Sequence, residues 1–267
     1  MSHLLRAHAP ITEAAWALID EEARERLTPA LAARKLVDFS GPHGWQHSAT
    51  NLGRAHELPD GPADHLFGAQ RQVLPLVELR APFALSRSEL RDADRGADDV
   101  DFEPLDVAAH RVAAGENRAV FHGWESAGIQ GIAERSTQTP IELGDDCAVW
   151  PRHVASSVEA LLAAGIDGPY GLALGPDAYT RVLQTTEHGG YPLLDHLRKI
   201  IGGPLVWAPG VRGAVVMSLR GGDFLFEAGD DLSIGYDDHD ADEVRLYLVE
   251  SFSFRVATPE AAVALIG

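Results

Sequence analysis

The chain has 267 residues, with 22 Lys+Arg against 40 Asp+Glu and a formal net charge of −18. Hydrophobic residues make up 45% and charged residues 23%, a globular composition rather than a disordered or fibrous one. The acidic balance argues against a generic nucleic-acid binder, whose phosphate contacts need Lys and Arg, and against an anionic membrane surface as partner.

At roughly 100–200 residues per domain, the length allows one large domain or two smaller ones. The first segment, residues 12–28, is expected to be an amphipathic helix. Trp16, Ile19, Ala23 and Leu27 form one apolar stripe, Thr12 caps the start, and Pro29 should end or kink the helix. Residues 41–70 are rich in Gly, Pro, His and Asp without a sustained period, and read as a long excursion. Gln72–Leu85 is strand-like but carries Pro75 and Pro82, which places it at a sheet edge, because proline has no N–H for a ladder.

Residues 103–125 form the second clear helix, with Leu105, Ala108, Val112 and Ala119 on its apolar side and Asp101 as its cap. Further helices are expected at 151–164, 176–187 and 192–201, with a strand at Tyr170–Leu174. The chain then turns to β structure at Leu205–Ala208, Ala214–Leu219 and Phe224–Glu227. In the last long strand Val244, Leu246, Leu248, Phe252, Phe254 and Val256 alternate with polar residues, a period of two that buries one face. Glu250 interrupts that face once. The mixture lacks a regular βαβ repeat, so the fold class is α+β.

The single cysteine, Cys147, leaves no internal disulfide and no Cys-based zinc site. Arg6, His8, Glu13 and Asp20 break up the N-terminal stretch where a signal peptide would need an apolar core, and no window approaches the ~20 apolar residues of a membrane span. A soluble cytoplasmic protein is expected.

Sequence motifs for phosphate loops, dinucleotide binding, zinc proteases and nucleophile elbows do not occur. Three clusters carry titratable groups. Asp237 to Asp242 imitates the start of a calcium loop, but Glu243 stands where the loop needs Gly and Val249 where it needs Glu, which favours a solvated turn. His43 and His47 are four apart, yet Gly41, Pro42 and Gly44 argue against a helix that would put both rings on one face. Glu187 and His188 form a possible acid–base pair, with no nucleophile nearby in sequence. No catalytic residue, metal site or cofactor is assigned.

The order of segments points further. RAHAPITEAAWALIDEEARE (6–25), AARKLVDFSGP (32–42), LVELRAPFALSRSEL (76–90), DADRGADD (92–99), GIDGPYGLAL (165–174), TTEHGGYP (185–192), VWAP (206–209), SLRGGDF (218–224), DLSIGY (231–236) and ATPEAAVAL (257–265) together resemble the family 1 encapsulin shell proteins. Their specificity lies in colinearity over nearly the whole chain. The resemblance implies the HK97-type fold of tailed-phage capsid subunits. It divides the chain into an N-terminal helix and start of the P-domain (1–47), an E-loop (48–84), the P-domain with its spine helix (85–134), an A-domain (135–222) and a return to the P-domain (223–267).

The resemblance also implies function. Such proteins are not catalysts but assemble into closed icosahedral shells, of sixty subunits at this length. Each shell encloses a cargo enzyme, often a dye-decolourising peroxidase or a ferritin-like protein, captured through its C-terminal targeting peptide. By position, Leu31, Arg34, Leu36 and Asp38, with Ile234 and Tyr236 opposite, are the candidates for holding that peptide. Arg34 and Asp38 would satisfy its polar groups, or else pair with each other at i,i+4. Thr186, Glu187, His188, Gly189 and Gly190 are the candidates for the five-fold pore, with one Gly more than the family's usual pattern. Partners are then further copies of the chain and the cargo enzyme, with neither nucleic acid nor membrane. A phage or prophage capsid subunit of the same fold is the second reading, and an isolated acid–base or metal enzyme a third.

Overall fold

The computed structural model describes residues 3–187 and 189–267. Helix α1 spans Glu13–Ala30, and the Thr12 hydroxyl accepts the Ala15 N–H at 3.1 Å. Trp16, Ile19, Ala23 and Leu27 are buried along it, as the stripe requires. Pro29 does not end the helix where expected. It lies inside the last turn, and Leu31 N–H still reaches Leu27 C=O at 3.0 Å, so the ring removes one donor without breaking the turn.

The strands β1 (Asp38–Ser40), β2 (Ala49–Glu57), β3 (Ala69–Pro75) and β4 (Val77–Ser86) follow. The single strand expected over Gln72–Leu85 is therefore two. At Leu76 the backbone N–H turns away to Ser48 C=O, and β3 and β4 join different sheets. Pro82 sits in β4 opposite Tyr247, and β4 pairs with one strand only, the edge position that proline tolerates.

Helix α2 (Arg87–Asp94) leads to the long α3 (Glu103–His122), where Asp101 Oδ1 accepts the Glu103 N–H at 2.9 Å. The helix ends before residue 125 because Gly123 takes a positive φ of 83°. Next come α4 (Ile132–Arg135), β5 (Ile141–Glu142), α5 (Trp150–Ala163), β6 (Tyr170–Leu174), α6 (Pro176–Gln184), α7 (Leu193–Ile201), β7 (Leu205–Trp207), β8 (Ala214–Ser218), β9 (Phe224–Ala228), β10 (Ser233–His239), β11 (Glu243–Val256) and β12 (Ala262–Ile266).

Two sheets organise these elements. The first runs β1-β9-β11-β10, with β4 on the other side of β11. Strand β11 pairs with β10 and β4 through its first half and with β9 through its second. Its residues Val244, Leu246 and Leu248 share one core with Trp16 and Ile19 of α1 and with Leu105 and Val112 of α3. The second sheet runs β5-β12-β8-β6-β7, and its core takes in Val154 and Leu161 of α5, Val182 of α6 and Leu197 of α7.

Within residues 223–267, strands β9, β10 and β11 belong to the first sheet. Strand β12 lies between β5 and β8 in the second. Ala262, Val263, Ala264 and Leu265 are all buried, the pattern of a strand covered on both faces rather than one.

Residues 49–75 behave differently from both sheets. Among the described residues strands β2 and β3 pair only with each other, in a two-stranded ribbon. Beyond them Phe67 is 97% exposed, and Leu58 and Leu66 are also exposed.

Candidate functional site

A cleft of about 430 Å³ opens between α1 and the start of β10. Leu31, Arg34 and Ile234 line it, together with Leu4, Asp20 and Leu27. The other three residues assigned to this face lie elsewhere. Leu36 is buried in the second sheet's core, so close to Gly171 that a Cβ there would come within 2.6 Å of it. Asp38 is spent on the backbone, accepting the Gly222 N–H at 2.7 Å. Tyr236 donates its N–H to Leu4 C=O and directs its hydroxyl to His239 Nδ1 at 2.5 Å. Arg34 and Asp38 do not form an i,i+4 pair, because Arg34 sits in a 3-10 turn and Asp38 already begins β1.

Asn117 of α3 fixes the turn that carries Arg34. Its amide group donates to Ala30 C=O at 2.8 Å and Pro209 C=O at 3.0 Å, and its oxygen accepts the Ala33 N–H at 2.9 Å. Arg34 then spends its guanidinium on three carboxylates. Nε reaches Glu116 Oε2 at 2.7 Å, Nη1 reaches Asp231 Oδ1 at 2.6 Å, and Nη2 reaches Glu250 Oε2 at 2.7 Å. The Glu116 and Glu250 side chains are 0% and 1% exposed, and that of Asp231 43%.

Burial pushes Glu116 above the usual carboxylate range, against the pull of Arg34. Burial and the neighbouring Glu116 charge push Glu250 well above it. Burial opposes the Arg34 charge, yet the carboxylates outweigh it and hold the guanidinium more basic than usual. Among the described residues neither Glu116 Oε1 nor Glu250 Oε1 has a donor. A proton on Glu250, the direction in which burial and the Glu116 charge push it, would let that carboxyl donate to Glu116 beside one fixed cation. The sequence marked Glu250 as the break in an apolar face. Glu116 carried the same signal, a charge on the inward stripe of α3 after Leu105 and Val112.

The loop 185–193 is a second candidate. Thr186 bridges Pro192, the Glu187 N–H meets Tyr191 C=O at 2.8 Å, and the Gly190 N–H meets Glu187 C=O at 2.9 Å. Gly189 and Gly190 have φ of 94° and 79°, conformations that a side chain would strain. His188 lies outside the described residues. The histidine that meets Glu187 is instead His196 of α7, Nδ1 to Oε2 at 2.8 Å.

The remaining clusters are structural. Asp240 caps the turn before β11, accepting the N–H groups of Asp242 and Glu243, and Arg245 ties Asp238 to Asp240. Those backbone N–H groups hold the Asp240 carboxyl below its usual range. The rings of His43 and His47 do adjoin, 4.9 Å between centroids, but His47 Nε2 bonds Glu227 Oε1 at 2.6 Å and His43 Nε2 bonds Ser40 Oγ at 3.1 Å. Among the described residues no three metal-ligating side chains converge, and no helix is long and apolar enough to cross a membrane.

A long helix laid across a central sheet, a second sheet with its own helices, and a projecting ribbon define a capsid-type subunit. The same fold is found in a virus-like particle from Pyrococcus furiosus, at 18% identity and a TM-score of 0.58 over 92% of this chain and 98% of that one. It is found again in the capsid of Myoviridae phage XM1, at 11% identity and a TM-score of 0.52 over 88% and 91%. The fold is thus the HK97-like one of phage capsids. Residues 1–253 match the family described as encapsulating protein for peroxidase. The Type 1 encapsulin shell protein of Rhodospirillum rubrum is 48% identical over 272 residues, covering 100% of this chain and 97% of that protein. The chain belongs to the encapsulin shell-protein family, whose role is structural rather than catalytic.

Proposed function

We propose that copies of this chain close into an icosahedral shell of about sixty subunits, the count of one copy per icosahedral asymmetric unit, around a cargo enzyme. The observation that carries assembly is the ribbon. A two-stranded hairpin is marginal in water by itself, and this one exposes Leu58, Leu66 and Phe67 with no core of its own. As an E-loop it gains both strand pairing and apolar cover from a neighbouring copy. Deleting residues 54–70 is expected to leave a soluble subunit that forms no closed particle. Intact shells of that variant in negative-stain electron microscopy would overturn the assignment.

In this reading the cleft beside Leu31, Arg34 and Ile234 faces the interior and takes the C-terminal targeting peptide of the cargo. Apolar walls from Leu27, Leu31 and Ile234 suit aliphatic side chains of an extended peptide. Leu36, Asp38 and Tyr236 do not line that cleft. The family match supports an encapsulated peroxidase as cargo, the enzyme named in its description. The net charge of −18 favours a protein over a genome as contents. The loop 185–193 surrounds the five-fold opening, with Glu187 the charge nearest the passing ion.

A further inference from the structure

We propose that His196, a residue of helix α7 outside the loop itself, sets the charge of Glu187 and so decides which ions the opening admits. The proposal rests on the reading that the loop 185–193 lines that opening. Glu187 as a carboxylate only accepts hydrogen bonds, so the proton at their 2.8 Å contact sits on His196 Nδ1. A neutral imidazole donates that bond and leaves the carboxylate its full charge. An imidazolium donates the same bond and cancels the charge. The geometry is therefore kept while the pair loses its negative charge.

The two partners cannot easily part. Leu193, Leu197 and Ile201 are buried and anchor α7, which fixes His196 relative to the core. The loop is closed at both ends, by the Thr186–Pro192 bridge and by the Leu193 N–H on Thr185 C=O at 3.1 Å. Tyr191 places its ring 6.3 Å from His196, Lys199 sits over that ring at 4.9 Å, and Asp195 pairs with Arg198 at 3.8 Å. The helices packed on α7 bury uncharged residues, Val154, Ser157 and Leu161 of α5 and Ala178 and Val182 of α6. Repeated around a five-fold axis, the His196 proton moves the ring by five charges.

The test uses shells reassembled around a dye-labelled inert protein, with stopped-flow quenching by Co²⁺ and by iodide between pH 5.5 and 8. Wild-type Co²⁺ quenching should slow about threefold or more as pH falls, while iodide quenching speeds up, as for a charged filter ring. His196→Gln keeps a donor that cannot charge and should flatten both profiles. His196→Asn is the second variant should the first fail to assemble. Glu187→Gln should be slow for Co²⁺ at every pH. Unchanged Co²⁺ quenching in Glu187→Gln overturns the pore reading itself. A changed Glu187→Gln with an undiminished pH response in His196→Gln overturns only the role of His196. So does a response that survives in His196→Gln and vanishes in His188→Gln.

Discussion

Glu116 and Glu250 reach one guanidinium from different elements: Glu116 of α3 lies 2.7 Å from Arg34 Nε, and Glu250 of β11 lies 2.7 Å from Arg34 Nη2. The contact ties the turn after α1, the long helix and the central strand together at the back of the candidate peptide cleft. Both acids are buried, and both are raised above the usual carboxylate range, by burial first. A group whose folded pKa is raised contributes stability that is fully present below its unfolded value and is lost as pH rises through the folded value. Glu250 therefore weakens the fold progressively above its ordinary range. Glu250→Gln, which keeps the shape and can still donate to Glu116, should match wild type in thermal unfolding near pH 4.5. It should melt above wild type at pH 8. A parallel pH dependence in both proteins would refute the raised Glu250 carboxyl.

Arg34→Ala should behave in the opposite sense. It strands two buried carboxyl groups without their cation, a loss of about 3–5 kcal/mol for breaking a buried pair. The subunit should be recovered poorly or unfold at markedly lower denaturant. Asp38→Ala removes one accepted hydrogen bond from the Gly222 N–H, worth about 1 kcal/mol. Asp38→Ala should also leave cargo content unchanged. Denaturant midpoints and cargo-to-shell band ratios separate the two effects, and a cargo defect in Asp38→Ala would return that residue to the binding surface.

Leu31 lines the cleft while remaining partly exposed, so it can be altered with less damage to the core than Ile234. Leu31→Asp replaces an apolar contact worth about 1.5–3 kcal/mol of burial by a charge. Peptide binding should fall at least tenfold, read by co-purification of a fluorescent protein carrying the C-terminal tail of the cargo. Undiminished loading would move the peptide site away from this cleft.

Phe67 offers the simplest test of the ribbon. At 97% exposure it contributes almost nothing to the folded monomer, so Phe67→Ser should leave the melting of dissociated subunits within about 0.5 kcal/mol of wild type, as surface changes do. Assembly should be weakened, with the critical concentration rising about tenfold or more by light scattering. Normal assembly would show that the tip meets no neighbour.

Much of this protein was legible in local patterns. The stripe Trp16, Ile19, Ala23, Leu27 gave α1, and the alternation from Val244 to Val256 gave the central strand, because periods of 3.6 and 2 report which face is buried. The colinear segments from residue 6 to 265 were enough to point to the family. The position of β12 was not legible, since a strand buried on both faces carries no alternation to reveal its neighbours. The split of 72–85 at Leu76 was equally hidden, because one apolar run served two sheets.

By itself the sequence determined the two long helices α1 and α3, the long strand, the fold class and the family, all of which follow from short-range periodicity and from order along the chain. Only the tertiary structure decided who meets whom. It brought Arg34 to Glu116, 82 residues away, to Asp231, 197 away, and to Glu250, 216 away, and gave Glu187 to His196. It also turned Leu36 and Asp38 away from the cleft that Leu31 and Arg34 line. The physical reason is that a local pattern reports whether a side chain is buried, whereas its partner is set by the packing of elements far apart in the chain.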